Sequence, residues 1–362
     1  MELKRIYDID NVNCSLQNNK IEKDIPENYP VVSVIVPTQN RPAMLKRAIT
    51  SILTQTYPDF EIIVINDGGG NIQEMINQLN VKNNIRYIHH EISKGRSAAR
   101  NSGIKAAQGK YIAYLDDDDW YFPNHLSVLV NFMESNKVKA AYTDAYRAVE
   151  YLENNTYVIK QHQLLYSNDF AINKLLVQNL FPNLCVMHEK TCIDETGLFD
   201  ETLETHEDWE MWLRISLKFQ FHHIPVVTAE YSYRNDKTNT TTLYSTDFYA
   251  TRKLIYMKYK NFAEMNPAVI DGQKNALKNH AGSVIADFMN IVTEYVEKGL
   301  VYKAISYYDK HRNIFDDVPD LEKFDSLVEM MKKKATTSCP AVDSDKKCGD
   351  GKMAELRSGA ME

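Results

Sequence analysis

"VVSVIVPTQNRPAMLKRAITSILTQTYPDFEIIVINDGGG" (31–70) decides how this chain folds. It opens with "VVSVIVPT" (31–38), a near-continuous β-branched run halted by Pro37. A run with so little polar alternation suits a strand buried on both faces. From Pro42 the spacing changes. Met44, Leu45, Ala48, Ile49, Ile52 and Leu53 recur at helical intervals behind a proline placed to start a helix, which predicts one over 42–55. "FEIIVINDGGG" (60–70) is a second buried strand running into a glycine-rich loop.

Residues 71–119 repeat the alternation. "NIQEMINQL" (71–79) is helical, "IRYIHHE" (85–91) a strand, "GRSAARNSGIKAAQG" (95–109) a helix stopped at Gly109, and "KYIAYLDDDD" (110–119) a strand. Such alternation predicts right-handed crossovers and a mainly parallel sheet with flanking helices. Ligands of such sheets bind beyond the carboxyl ends of the strands. Three strands end in polar clusters, "PTQNR" (37–41), "NDGGG" (66–70) and "DDDD" (116–119), and these are expected to meet at one edge. No G-x-G-x-x-G or G-x-x-x-x-G-K-[ST] opens the first helix, which argues against a dinucleotide-binding dehydrogenase or a P-loop NTPase.

Beyond the acids, "NHLSVLVNFMES" (124–135) is helical, and "AAYTDAYRAVEY" (140–151) and "TYVIKQHQ" (156–163) are extended. "HEDWEMWLRISLKF" (206–219) is a helix with Glu207 and Asp208 in its first turn, where the helix dipole favours acids. Helical segments follow near 248–262, 267–297, 300–313 and 319–334. The organisation expected is an N-terminal extension (1–30), an α/β domain (31–246), a helical region (247–334) and a disordered tail (335–362).

The 362 residues are 44% hydrophobic and 25% charged, an ordinary globular mixture. The net charge of −7 argues against nucleic acid as the main partner. No apolar run approaches the ~20 residues that span a bilayer. "MELKRIYDIDNVNC" is too polar for a signal peptide, so the cytoplasm is the expected location, with peripheral attachment to the inner face of the membrane left open. Five cysteines, Cys14, Cys185, Cys192, Cys339 and Cys348, lack zinc-like spacing.

Four consecutive aspartates, Asp116, Asp117, Asp118 and Asp119, need an explanation. Two carboxylates about 4 Å apart repel by roughly 4 kcal/mol at an effective dielectric near 20. The run could be a solvated acidic turn. It lacks the glycine and distant glutamate of a calcium loop. At the ligand-binding edge of a parallel sheet, a Mg²⁺ or Mn²⁺ shared with substrate phosphates would remove the repulsion, and this is the expectation adopted.

With "VSVIVPTQNR", "SILTQTYPDFEIIVINDGG", "GRSAARNSGIKAAQGKYIAYLDDDDW" and "GLFDETLETHEDWEMWLR" in this order, residues 31 to 235 resemble the glycosyltransferases of family 2, which have the GT-A fold. The resemblance implies that Pro37 and Asp67 hold the nucleotide base and ribose, and that Arg96 and Arg100 lie near the base and diphosphate. It makes Asp116 and Asp118 the outer acids of a D-x-D motif and metal ligands for Mn²⁺ or Mg²⁺, and Asp208 the catalytic base of an inverting enzyme. Thr38, Asn40, Arg41, Asp117 and Trp120 are placed with the nucleotide-sugar, Trp120 as a stacking platform. Trp209 and Trp212 are placed in the core.

The implied reaction is a single displacement. A sugar passes from a nucleotide-diphosphate sugar, a UDP-sugar first, to a hydroxyl of a glycan, lipid-linked glycan or protein acceptor. The implied setting is bacterial polysaccharide or glycoconjugate biosynthesis. Two departures stand out: "NDGG" replaces the common "DDGS", and "YSYRNDKTNTTT" offers no late histidine ligand. Tyr233, Arg234 and Lys237 are placed there on a lid loop over the diphosphate. The alternatives weighed are a nucleotidyltransferase and a non-catalytic sugar-nucleotide-binding protein. The helices after 247 are expected to pair two protomers into a homodimer or to cap the acceptor site, in preference to docking on a membrane.

Overall fold

The computed structural model describes residues 30–80, 84–154, 156–235, 245–315 and 322–337. The extension, Lys237 and the residues after Thr337 lie outside them. The chain divides into two compact units, one of residues 1–203 and 207–236, the other of 204–206 and 237–362.

The first unit begins β1 (Val32–Thr38), α1 (Pro42–Leu53), β2 (Phe60–Asp67), α2 (Gln73–Leu79), β3 (Ile85–His90), α3 (Arg96–Ala106) and β4 (Tyr111–Tyr114). The sheet order opens β3-β2-β1-β4, and these neighbours run parallel. Every residue of β2 is buried, as its apolar run requires. A Cβ added to Gly103 would stand 2.6 Å from Ile35 Cγ2, so that glycine lets α3 settle directly on the sheet.

The second half departs from a mainly parallel sheet. It contains β5 (Trp120–Tyr121), α4 (His125–Asn136), β6 (Ala140–Glu153), β7 (Thr156–Tyr166), α5 (Ile172–Leu175), β8 (Val186–Glu189), α6 (Thr191–Thr196), α7 (Glu207–Ser216) and β9 (Phe221–Arg234). β8 lies antiparallel between β4 and β6, and β9 returns parallel to β6. The result is a mixed nine-stranded sheet with β7 paired to β6.

Trp209 and Trp212 are fully buried, as expected, and the Trp209 indole donates to Leu175 O at 2.7 Å. Burying a side chain of that size stabilises by about 3 kcal/mol. Cys185 and Cys192 are buried free thiols.

The fourth strand is shorter than expected. It stops at Tyr114, and the aspartates occupy a turn closed by Asp119 N–H on Asp116 O at 3.1 Å. Extended backbone would have forced alternate carboxylates into the apolar sheet; a turn lets each find its own partner. Arg234 also differs from expectation. It is the last residue of β9 and is buried rather than set on a lid.

The second unit is helical: Ser245–Lys258, Lys260–Ala263, Pro267–Glu297, Val301–His311 and Glu322–Thr337. The last helix runs past the expected end at 334. Phe288, Phe315, Phe324 and Val328 form its core with Val284 and Tyr308. His206 belongs to this unit; it packs edge-to-face on Phe248, and burial pushes its imidazole down to about 3. No described helix is long and apolar enough to cross a membrane.

Candidate active site

The three polar clusters do meet at the carboxyl edge of the sheet. Thr38, closing β1, donates its hydroxyl to Asp117 Oδ2 at 2.7 Å. Arg41, just before α1, reaches Asp117 Oδ1 and Asp118 Oδ2, each at 3.2 Å. Asn40 Oδ1 accepts from Gly70 N–H at 3.0 Å, tying the first cluster to the glycine loop. Within that loop Asn66 binds Gly69 N–H and Gly70 O. A Cβ on Gly69 would lie 2.5 Å from Asn66 Oδ1, so the loop cannot close over its own asparagine with any larger residue.

Each aspartate of the run is balanced differently. Burial would raise Asp116, but Arg100 Nη2 at 2.6 Å more than offsets this and holds the carboxyl below its usual range. Asp117 is pushed up to about 6 by burial and by Asp118, against the Thr38 and Arg41 contacts. Asp118 Oδ2 accepts from Arg234 at 2.9 Å as well as from Arg41. Asp119 accepts from Ser232 N–H at 3.1 Å; burial and its acidic neighbours raise it well above the usual value. Arg47 donates to Asp118 O and lies 3.8 Å from Glu150. Guanidinium groups thus offset part of the repulsion at Asp116, Asp117 and Asp118, while Asp119 has a backbone N–H and acidic neighbours. Among the described residues no three His, Cys, Asp or Glu side chains are grouped to hold a metal ion. Asp116 and Asp118 remain partly exposed, at 38% and 21% of their side chains, and two hard oxygen donors suit Mg²⁺ or Mn²⁺ completed by phosphate oxygens.

Arg100 is placed otherwise than expected. It is 3% exposed and bridges Asp116 to Glu207, 2.6 Å from each, so both of its carboxylate contacts lie within the protein. Arg96 stays half-exposed, 3.9 Å from Glu207. Asp67 is also internal. His90 Nδ1, the Ser93 hydroxyl and the N–H groups of Lys94 and Gly95 all contact its carboxylate within 3.1 Å and hold it below its usual range despite burial. That geometry sets the turn entering α3. Pro37 lies within β1, and Trp120, half-buried in β5, pairs with Glu230 of β9.

Asp208 opens α7. Its Oδ1 accepts from Trp209 N–H at 2.7 Å and its Oδ2 from Asn179 Nδ2 at 3.0 Å. Burial, then the adjacent Glu207, push it up to about 6, the range suited to accepting a proton near neutrality. The Arg100 bridge joins this helix to the aspartate turn in one network.

The family model for glycosyl transferase family 2 matches residues 33–192. A putative colanic acid biosynthesis glycosyl transferase of Escherichia coli is 30% identical over 199 residues, 53% of this chain and 68% of the relative. An uncharacterized glycosyltransferase of Methanocaldococcus jannaschii is 30% identical over 212 residues, 57% of this chain and 72% of the relative. The chain belongs to glycosyl transferase family 2.

Other family 2 relatives are longer: the match takes in 27% of an uncharacterized Rickettsia bellii glycosyltransferase, at 34% identity over 192 residues and 52% of this chain. Among solved structures, S. aureus TarS 1–349 with UDP aligns with a TM-score of 0.56 at 18% identity, covering 84% of this chain and 87% of that one. The mannosyltransferase PcManGT of Pyrobaculum calidifontis, with GDP-Man and Mn²⁺, aligns at 0.50 and 12% identity, covering 84% and 85%. These likenesses establish the GT-A fold.

Sequence reasoning missed several side-chain pairings in the first unit. Glu150, 2% exposed, sits beneath Arg47 and Arg234. It carried little signal, because the same strand also holds Thr143, Asp144, Arg147 and Glu153. Asn179 and Ser232 carried none, because strand and loop amides and hydroxyls are common everywhere. His223 contacts Asp144 at 2.8 Å and Asp169 at 3.0 Å, partners 79 and 54 residues away that sequence proximity could not reveal.

Proposed function

We propose that this chain is an inverting glycosyltransferase that moves a sugar from a nucleotide-diphosphate sugar, UDP-sugars first, to a hydroxyl of a glycan, lipid-linked glycan or protein. The observation that carries this reading is the Asp116–Arg100–Glu207 bridge, whose arginine and glutamate are buried. It couples the acids of a donor site to the helix that presents a carboxylate with a pKa near 6. Neighbours of the same fold hold UDP-GlcNAc in one case and GDP-Man with Mn²⁺ in another, which supports a nucleotide-sugar donor here.

In this mechanism Asp208 takes the proton of the acceptor hydroxyl as that oxygen attacks the anomeric carbon. Asn179 and the Trp209 N–H hold its carboxylate in one orientation. Thr38, Asn40, Arg41, Arg96 and Trp120 line the donor side, while Asp67 acts from below by fixing the Ser93–Gly95 turn. Asp116 and Asp118 would hold a Mn²⁺ or Mg²⁺, which when bound neutralises charge on the departing diphosphate. The helical unit exposes Leu254, Met257 and Met265, and we assign it to self-association.

The test is a panel of UDP-, GDP- and dTDP-sugars with Mn²⁺, scored by thermal shift and by nucleotide release. At least one donor should stabilise the protein and be hydrolysed slowly. Binding of none of them would overturn the reading. An α-linked product from an α-linked donor, seen by NMR, would overturn the single displacement.

A further inference from the structure

Three amide atoms stand out between α5 and β8. Asn179 spends its Nδ2 on Asp208, and its Oδ1 is buried with no hydrogen-bond partner. Asn183, four residues on and 8% exposed, has neither Nδ2 nor Oδ1 satisfied. Few buried polar side-chain atoms in folded proteins lack a partner, and each such atom costs about 1–3 kcal/mol. Here two side chains within five residues carry three. The backbone between them has no freedom to relieve this. Leu180, Phe181, Leu184 and Cys185 are all buried, and Phe181 stacks on Tyr142 with ring centroids 4.1 Å apart. The segment is anchored by its apolar residues and keeps its amides in place at a standing cost.

The chemistry of the three atoms limits what could complete them. Two are carbonyl oxygens, which need a donor; one is an NH₂ group, which needs an acceptor. A phosphate or carboxylate only accepts and would leave both oxygens unsatisfied, facing a negative charge. A hydroxyl both donates and accepts. Asn179, bonded to the proposed base, puts its own unmet oxygen on the acceptor side of the reaction, and Asn183 follows it four residues later.

We infer that Asn179 and Asn183 form an acceptor subsite that recognises neighbouring neutral hydroxyls of a sugar or polyol. This rests on the glycosyltransferase reading and deepens it by naming the acceptor chemistry. Asn179 has a second part as a positioning residue, because its amide orients the Asp208 carboxylate.

The decisive variant is Asn183→Leu, which keeps the shape and removes the unsatisfied amide. Replacing an unsatisfied polar group by an apolar one of similar size does not weaken a fold, so the melting temperature should hold or rise. Wild-type protein, loaded with the donor that the panel selects, is titrated with glycerol, methyl β-glucoside and glycerol 3-phosphate. Nucleotide release above hydrolysis should rise saturably with a neutral probe, and its half-saturation should increase about tenfold in Asn183→Leu. Asn179→Ala should shift half-saturation and also move the acid limb of the pH–rate profile, which a purely structural residue would not do. A response to glycerol 3-phosphate alone would overturn the subsite. So would an unchanged half-saturation in Asn183→Leu, or a fall in melting temperature that marks the amide as bound to structural water. If no donor binds at all, the glycosyltransferase reading has failed before the subsite is tested.

Discussion

At the turn after β4, Asp116 lies 2.6 Å from a buried guanidinium and is held below the usual carboxylate range. At the start of α7, Asp208 meets only an amide and a backbone N–H, and burial with Glu207 beside it pushes it up to about 6. Arg100 serves the first of these directly and stops at Glu207 on the way to the second. The same side chain is held below its usual range in one place and raised in the other, because direct contact with Arg100 outweighs burial only at Asp116. A carboxylate that is to hold a divalent cation must stay ionised. A site that must accept a proton needs a carboxylate whose ionisation is not over-stabilised.

Asp208→Asn removes proton acceptance and keeps the size. Turnover should fall about 10²–10⁴-fold while donor affinity, measured by titration, stays near the wild-type value. Loss of donor binding by a folded variant would move Asp208 to the donor side and break the contrast.

Arg100→Met strips both regions of their shared cation and leaves Asp116 and Glu207 facing each other across an apolar side chain. Removing one member of a buried ion network costs about 3–5 kcal/mol, to be read from urea unfolding. A loss under about 1 kcal/mol would mean that the bridge is not what couples the two places.

Asp118→Asn touches only the donor side. Turnover should drop about 10²–10³-fold, the scale of one lost charge-stabilising group, and donor affinity should weaken, the mirror image of Asp208→Asn. Excess EDTA should silence the wild type and Mn²⁺ restore it. Full activity in EDTA would leave the arginines as the sole counter-charges for the diphosphate.

The contrast between these regions is also a contrast in what the sequence discloses. The strand–helix alternation from Val32 to Tyr114 was legible, because buried parallel strands are continuous apolar runs and their helices keep a 3.6-residue period. The meeting of Thr38, Gly70 and Asp117 followed from topology alone. What the sequence hid was pairing at a distance: Arg100 with Glu207, Arg234 with Asp118 and Asn179 with Asp208 are separated by 107, 116 and 29 residues. A charged residue announces that it needs a partner but not which one. For that reason the aspartates read as metal ligands alone, with no sign of the arginines from three separate segments that contact them. The mixed half of the sheet was equally hidden, because the insertion of β8 between β4 and β6 depends on register and not on composition.

The smallest predicted effect concerns stability and pH. An acid whose pKa is raised on folding binds more protons in the folded state than in the unfolded one between about pH 4 and pH 6. Stability from that group therefore falls as pH rises through this window and is flat above it. Asp116, held low, works in the opposite sense: its contribution is present above about pH 4 and fades as the solution becomes more acidic. Asp208→Asn isolates the first effect. The Asn179 amide can turn to offer its free Oδ1 to the new NH₂ group, so the hydrogen bond survives the substitution. The variant should melt at the wild-type temperature near pH 4. It should melt a few degrees higher at pH 7, corresponding to on the order of 1–3 kcal/mol. All three tryptophans, Trp120, Trp209 and Trp212, lie in the first unit, so their fluorescence follows the unit that holds the site. Parallel melting curves from pH 4 to pH 7 would show that Asp208 titrates as an ordinary aspartate, leaving it no special claim as the base. A variant less stable at pH 7 would reverse the sign and make the Asp208 charge a structural asset like that of Asp116.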